Sequence, residues 1–145
     1  MKFASLLTAA AAALCLTTPA FAGDGNADAP ENVVYHVNDS ANASAAIQNI
    51  NNHLNASPKA KIVVVTHGKG IDFLLEGAQD ANGNPYDARV QALKAKGVEF
   101  DVCNNNLKGR KIDPKTVLPE ATIVPSGVAE LSKLQAKAGY VYVKP

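Results

Sequence analysis

Three residues whose side chains can do chemistry stand at the ends of three apolar, strand-like segments. His36 lies near the end of residues 33–37, His67 follows residues 62–66, and Cys103 follows residues 98–102. Because neighbouring strands lie about 4.8 Å apart, side chains at adjacent strand ends can meet. The two imidazoles could assist a cysteine nucleophile, donate to backbone groups, or complete a His₂Cys metal set with it.

The first 22 residues have the pattern of a cleavable export signal. Lys2 gives a positive start, residues 3–16 form an apolar run rich in alanine and leucine, and Ala20-Phe21-Ala22 supplies small residues around a cleavage site. The run is too short to span a bilayer. We therefore expect a periplasmic protein whose mature chain starts at Gly23, with a flexible lead-in over residues 23–32.

Removal of that signal takes Cys15 with it and leaves Cys103 as a lone cysteine. Exported domains normally use cysteines in pairs, so an odd thiol in an oxidising compartment indicates a reactive site or an intermolecular bridge. The alternative is an inert cysteine that packs as a small buried hydrophobe. We expect the reactive thiol, with some access to solvent.

The residues that follow Cys103 could favour its thiolate form. Asn104 and its two asparagine neighbours can begin a short helix whose amides point at the sulfur, and Lys108, Arg110 and Lys111 add positive charge. Strand alternation places the carboxylate of Asp101 on the same face as Cys103, which opposes this effect. A solvated basic loop without a role is the alternative interpretation.

The remaining pattern alternates strands with helices. Strands are predicted over residues 33–37, 62–66, 98–102, 121–124 and 140–143. Helices are predicted after Asp39 or Ser40, over residues 71–75, from Asn84 to the residue before Gly97, and from Pro125-Ser126-Gly127 to Gly139, with a turn or two inside the loop of residues 104–119. This order predicts an α/β fold with a mostly parallel sheet, and a functional crevice outside the carboxyl ends of the strands.

Composition excludes several classes of partner. The whole chain carries 14 basic and 13 acidic residues, and loss of Lys2 with the signal balances them. Without a basic tract, nothing indicates binding to nucleic acid or to an anionic membrane surface. No second apolar segment is long enough to span a membrane, and no complete phosphate-loop fingerprint surrounds Gly68-Lys69-Gly70. His53 is interpreted as a structural residue within its helix.

Several fragments together resemble the DsrE/DsrF-like family of sulfur-relay proteins over residues 33–145. They are Val34-Tyr35-His36-Val37-Asn38-Asp39, Val65-Thr66-His67-Gly68, Gly97-Val98-Glu99-Phe100, Cys103-Asn104-Asn105-Asn106-Leu107 and Val124-Pro125-Ser126-Gly127-Val128-Ala129-Glu130-Leu131. The resemblance implies a three-layer α/β/α sandwich and a homo-oligomer, a trimer or hexamer. It also implies a cysteine, Cys103 here, that carries sulfur as a persulfide.

Three hypotheses follow. The first is a sulfur carrier or sulfurtransferase that works without a cofactor, with Cys103 as its catalytic residue and with a sulfur donor or acceptor protein as partner. Its binding residues would be His36, His67, Asn104, Lys108 and Arg110. The second is a non-catalytic oligomeric binding module that holds a small anion or a metal ion in the same crevice. The third is an oligomeric structural protein in which Cys103 is inert.

Overall fold

The computed structural model describes residues 30–145, which form a five-stranded parallel sheet with helices on both faces. The expected signal peptide and most of the expected lead-in lie outside the described residues. The strands are β1 (Asn32–Val37), β2 (Lys61–Thr66), β3 (Glu99–Cys103), β4 (Ala121–Val124) and β5 (Val141–Val143). The helices are α1 (Ala43–Ala56), α2 (Asp87–Ala95), α3 (Asn104–Arg110) and α4 (Gly127–Ala138).

The strand order β4-β3-β2-β1-β5 explains how the chain gathers its strand ends at one edge. Each of the first four strands lies beside the next, and every pairing among the named strands is parallel. After β4 the chain crosses the whole sheet through α4 and adds β5 beside β1. Because all five strands run the same way, their carboxyl ends form one continuous edge, as the sequence pattern predicts.

The two faces of the sheet are covered unequally. On one face, α1, α2 and α3 pack over a large core that includes Ile50, Phe73, Leu93, Phe100 and Leu107. On the other face, α4 packs over a smaller apolar cluster of Val34, Val63, Val65 and Leu131. The central strands are nearly all apolar because both of their faces are buried. Within residues 30–145, no helix has the length and apolar character needed to cross a bilayer.

Several predicted element boundaries shift for identifiable reasons. Asp39 caps a 3-10 turn over Ser40–Asn42, so α1 begins at Ala43. Asn84 does not cap α2, which begins at Asp87. Its amide nitrogen instead donates to the carboxylate of Asp80, which also accepts from the backbone N–H of Asn84.

The predicted short helix after β2 is a 3-10 helix over Gly68–Leu74. It runs close to β1: an added Cβ on Gly70 would overlap the carbonyl oxygen of Val37, which is backbone and cannot rotate away. The 3-10 helix can therefore lie this close to β1 only when residue 70 is glycine. This close contact holds the 3-10 helix against the end of β1.

Candidate functional site

Cys103 is the last residue of β3 and lies on the face of the sheet that α4 covers. It pairs in register with Val124 of β4, and α3 begins at the next residue, Asn104. Asp101 lies two residues earlier on the same face, as strand alternation predicts. The thiol therefore stands at the carboxyl edge of the sheet, where the sequence placed it.

The expected solvent access of Cys103 is wrong for the single chain, because the residue is only 3% exposed. Its cover is the first turn of α4. A Cβ on Gly127 would lie 3.2 Å from the Cβ of Cys103, 3.2 Å from the Cβ of His67 and 2.8 Å from the carbonyl oxygen of Thr66. The first turn of α4 therefore packs directly against the thiol residue and the end of β2.

His36 and His67 meet beside this position. Their Nε2 atoms lie 2.7 Å apart, and the Nδ1 atom of His36 lies 2.6 Å from the hydroxyl oxygen of Tyr142. The two rings are tilted by 30° with centroids 4.6 Å apart. One proton fits between the two Nε2 atoms, so one ring donates and the other accepts. The structure thus joins three side chains from β1, β5 and the residue after β2 in one hydrogen-bonded chain.

Tyr142 is the member of this hydrogen-bonded chain that the sequence pattern did not predict. It pairs in register with Val34, which places it on the same face as His36. That register depends on the return of the chain across the sheet to β1. A tyrosine at the centre of the last apolar segment, rather than a branched aliphatic residue, is the only signal that the sequence offered.

The environment keeps both imidazoles neutral at neutral pH. Burial lowers the pKa of His36, and the charges of His67 and Lys144 lower it further. Burial also lowers the pKa of His67, with a second contribution from Lys144. Each pKa therefore lies below the usual value for histidine, which favours the uncharged form of both rings.

The basic residues of α3 do not gather around the thiol. Arg110 donates to Asp72 Oδ1 at 2.6 Å and to the carbonyl oxygen of Gly68 at 3.2 Å, so its charge is paired. Lys108 is exposed and Asn104 is half-buried. The Oδ1 atom of Asn106 accepts from the N–H of Gly68 at 2.9 Å. The helix after Cys103 thus holds the loop after β2 in place.

Asp101 is a buried carboxyl group on the face of Cys103. Its pKa is raised to about 6, chiefly by burial and then by the nearby charges of Glu130 and Glu99, against the opposing charges of Lys133 and Lys94. The main-chain carbonyl oxygen of Asp101 accepts a hydrogen bond from the hydroxyl of Thr66 at 2.9 Å. The site therefore contains an acid that is partly protonated in mildly acidic solution.

Two further features lie outside this cluster. His53 bonds to Tyr35 through Nδ1 and to Glu31 through Nε2, both at 3.0 Å, which agrees with a structural role.

A cleft of about 760 Å³ is lined by residues that include Asp39, Lys69 and Asp80, but not by Cys103, His36 or His67. Within residues 30–145, no group of three or more histidine, cysteine or acidic side chains is arranged to hold a metal ion.

Fold and site together define a parallel α/β/α protein with one thiol at the carboxyl edge of its sheet. Residues 31–145 match the DsrE/DsrF-like family, and the chain belongs to that family. The resemblance predicted from the sequence fragments is thereby confirmed.

Solved structures agree with this assignment. A protein of unknown function from Methanobacterium thermoautotrophicum, MTH1491, superposes with a TM-score of 0.71 at 26% identity, over 79% of this chain and 99% of its own. The ychN protein of E. coli superposes with a TM-score of 0.65 at 12% identity, over 81% of this chain and 100% of its own, which bears on the fold alone. No curated protein matches the chain.

Proposed function

We propose that this protein is a sulfur carrier or sulfurtransferase that holds sulfane sulfur as a persulfide on Cys103. Sulfur relay is the general function of the DsrE/DsrF-like family, to which residues 31–145 belong. The observation that carries the proposal is the position of Cys103 at the end of β3, against the N-terminus of α4 and beside His67. Helix amides and a neutral imidazole at that position can stabilise sulfur anions.

The proposed reaction has two steps. The Cys103 thiolate attacks the outer sulfur of a polysulfide or thiosulfate. The donor's S–S bond breaks, its electron pair leaves with the shortened polysulfide or with sulfite, and Cys103 becomes a persulfide. An acceptor thiolate then attacks the outer persulfide sulfur, and Cys103 leaves as the thiolate. No net oxidant or reductant is consumed, and no cofactor is required.

Cys103 is only 3% exposed, so a sulfur donor or acceptor would reach its sulfur only when the first turn of α4 moves aside. The cover formed by Gly127 and His67 would then shield the persulfide from unrelated thiols. We propose that His36 and His67 contribute hydrogen bonds to the bound sulfur species. Arg110 would act by holding the adjacent loop through Gly68 and Asp72, and the exposed Lys108 would attract anions to this edge.

Mass spectrometry tests this proposal. After treatment with polysulfide, the wild-type protein is expected to gain the mass of one sulfur atom, reversed by dithiothreitol and located on Cys103 by peptide fragmentation. The Cys103→Ser variant is expected to lose this gain entirely, since its hydroxyl cannot form a persulfide. Peptide fragmentation is needed because protein that retains residues 1–22 has a second cysteine, Cys15.

In protein that retains residues 1–22, the matched control is Cys15→Ser, which should accept sulfur as the wild type does. Unchanged sulfur uptake by Cys103→Ser would end the relay proposal, and a non-catalytic binding module would take its place. Unfolding measurements on both variants show whether a loss of sulfur uptake by Cys103→Ser comes from the missing thiol or from loss of the fold.

We also propose that the protein is exported to the periplasm. The support is the sequence of residues 1–22, with Lys2, an apolar run and Ala20-Phe21-Ala22. N-terminal sequencing of protein recovered from the periplasm of a bacterial host is expected to start at Gly23. A retained leader in cytoplasmic protein would contradict this proposal.

We further propose a homo-oligomer. Large apolar side chains are exposed on β4, α4 and β5, namely Ile123, Val128, Val141 and Tyr142, of which Val141 is 64% exposed. These side chains lie on the two opposite edges of the sheet and on α4, and the edge strands also have unpaired backbone groups with which another copy can pair. Light scattering at micromolar concentration is expected to give the mass of a trimer or hexamer. A monomer at that concentration would overturn the proposal.

A further inference from the structure

We propose that His36 and His67 form a binding site for a divalent transition-metal ion of the zinc class, coordinated through their two Nε2 atoms. The proposal does not rest on the sulfur chemistry of Cys103. It starts from one contact, in which two imidazole nitrogens on adjacent strand ends point at each other across 2.7 Å. Imidazole Nε2 is a common zinc ligand in proteins.

The distance between these nitrogens is close to what a shared metal ion needs. Zinc–nitrogen bonds of 2.0–2.1 Å at a tetrahedral angle place two ligand nitrogens about 3.3 Å apart. The rings would therefore separate by about 0.6 Å, and each would also turn so that the two Nε2 lone pairs converge on one point instead of facing each other. His36 and His67 are both half-buried, so an ion can enter from solvent.

A metal-binding histidine generally donates its second ring N–H to a hydrogen-bond acceptor, and the Tyr142 hydroxyl is placed to be that acceptor for His36. When the Nδ1–H of His36 donates to the Tyr142 hydroxyl, the Nε2 of His36 has a free lone pair. The ring is then held in the tautomer and orientation that coordination requires. The same contact is hard to explain by packing, because Tyr142 is 41% exposed and lies on an edge strand.

The site would be open. Within residues 30–145 no third histidine, cysteine or acidic group is arranged with this pair, so water or a small anion would complete the coordination. The charge of Lys144, which acts on both rings, opposes a bound cation. Affinity should follow the usual divalent order, with Cu²⁺ above Zn²⁺ and Mn²⁺ weakest.

Calorimetric titration with zinc chloride tests the site. The protein carries no polyhistidine tag, and Cys15 and Cys103 are replaced by serine so that thiolates do not contribute. One zinc ion per chain is expected. His36→Phe and His67→Phe should each weaken binding at least about 10-fold, Tyr142→Phe about 10-fold, and Lys144→Gln should strengthen it. The matched control is His53→Gln, which removes the remaining histidine of the chain and should bind zinc normally.

NMR of the imidazole rings provides a second test in protein that keeps all three histidines, so it does not depend on whether the histidine variants fold. Zinc should shift the ring resonances of His36 and His67 and leave those of His53 in place. No zinc uptake, equal uptake by the double variant His36→Phe/His67→Phe, or a shift confined to His53 would each overturn the proposal. Because both cysteines are absent, none of these outcomes depends on whether Cys103 carries sulfur.

Discussion

Replacement of Asp101 by asparagine is expected to raise the free energy of unfolding by about 2 kcal/mol at pH 7.5. The wild-type carboxyl is buried, and its pKa is raised to about 6 by that burial and by the charges of Glu130 and Glu99. In the unfolded chain its pKa returns to 3.8. Ionisation at neutral pH therefore costs stability, which asparagine avoids with nearly the same shape.

The sign of the pH dependence follows from these two values. Between about pH 4 and pH 6 the folded protein binds more protons at Asp101 than the unfolded chain does. The wild type therefore loses stability as pH rises through this window, and the advantage of Asp101→Asn should grow across it. Below pH 4 both states are protonated, and the advantage should disappear.

Urea unfolding at several pH values measures this difference. The control is Glu76→Gln, an exposed carboxylate for which we expect a change within about 0.5 kcal/mol at every pH. A stability difference for Asp101→Asn that is the same at pH 4 and pH 7.5 would contradict the ionisation argument. It would point instead to a packing effect of the amide.

Replacement of Gly70 by alanine is expected to destabilise the protein by about 3 kcal/mol, or to prevent folding. The added Cβ would overlap the carbonyl of Val37, so β1 and the 3-10 helix after β2 would have to move apart. Each of these two segments holds a candidate site residue: His36 lies in β1, and His67 directly precedes the 3-10 helix. The substitution should therefore also disturb the contact between the two imidazoles.

Gly109→Ala is the matched control for this prediction. Gly109 lies within α3, and an added Cβ there would meet no atom within 4 Å. Alanine is expected to stabilise the protein by about 0.5–1 kcal/mol, because it favours helix more than glycine does. Equal unfolding midpoints for the two variants in guanidinium chloride would show that the close approach at Gly70 is not restrictive.

The sequence predicted the sheet well because its strands are short apolar runs separated by helical patterns. The helix stop at Gly139 and the placement of Cys103 at a strand end are both confirmed. These features depend on local periodicity and on turn chemistry, which a single sequence contains.

What could not be predicted depends on contacts between distant segments. Cys103 is covered by a helix that follows another strand, and Tyr142 reaches His36 only because β5 returns beside β1. Arg110 has the charge expected near the thiol, yet its guanidinium pairs with Asp72. No local pattern specifies these partners, since each is set by how helices and edge strands pack.

The contact at Gly127 has a mechanical consequence. One residue at the start of α4 touches the thiol residue, the imidazole residue and the end of β2, so a tilt of that helix would uncover Cys103 and His67 together. The next residue, Val128, is 61% exposed. A molecule that docks on Val128 would therefore press on the first turn of α4, and through it would change the exposure of Cys103 and His67 together.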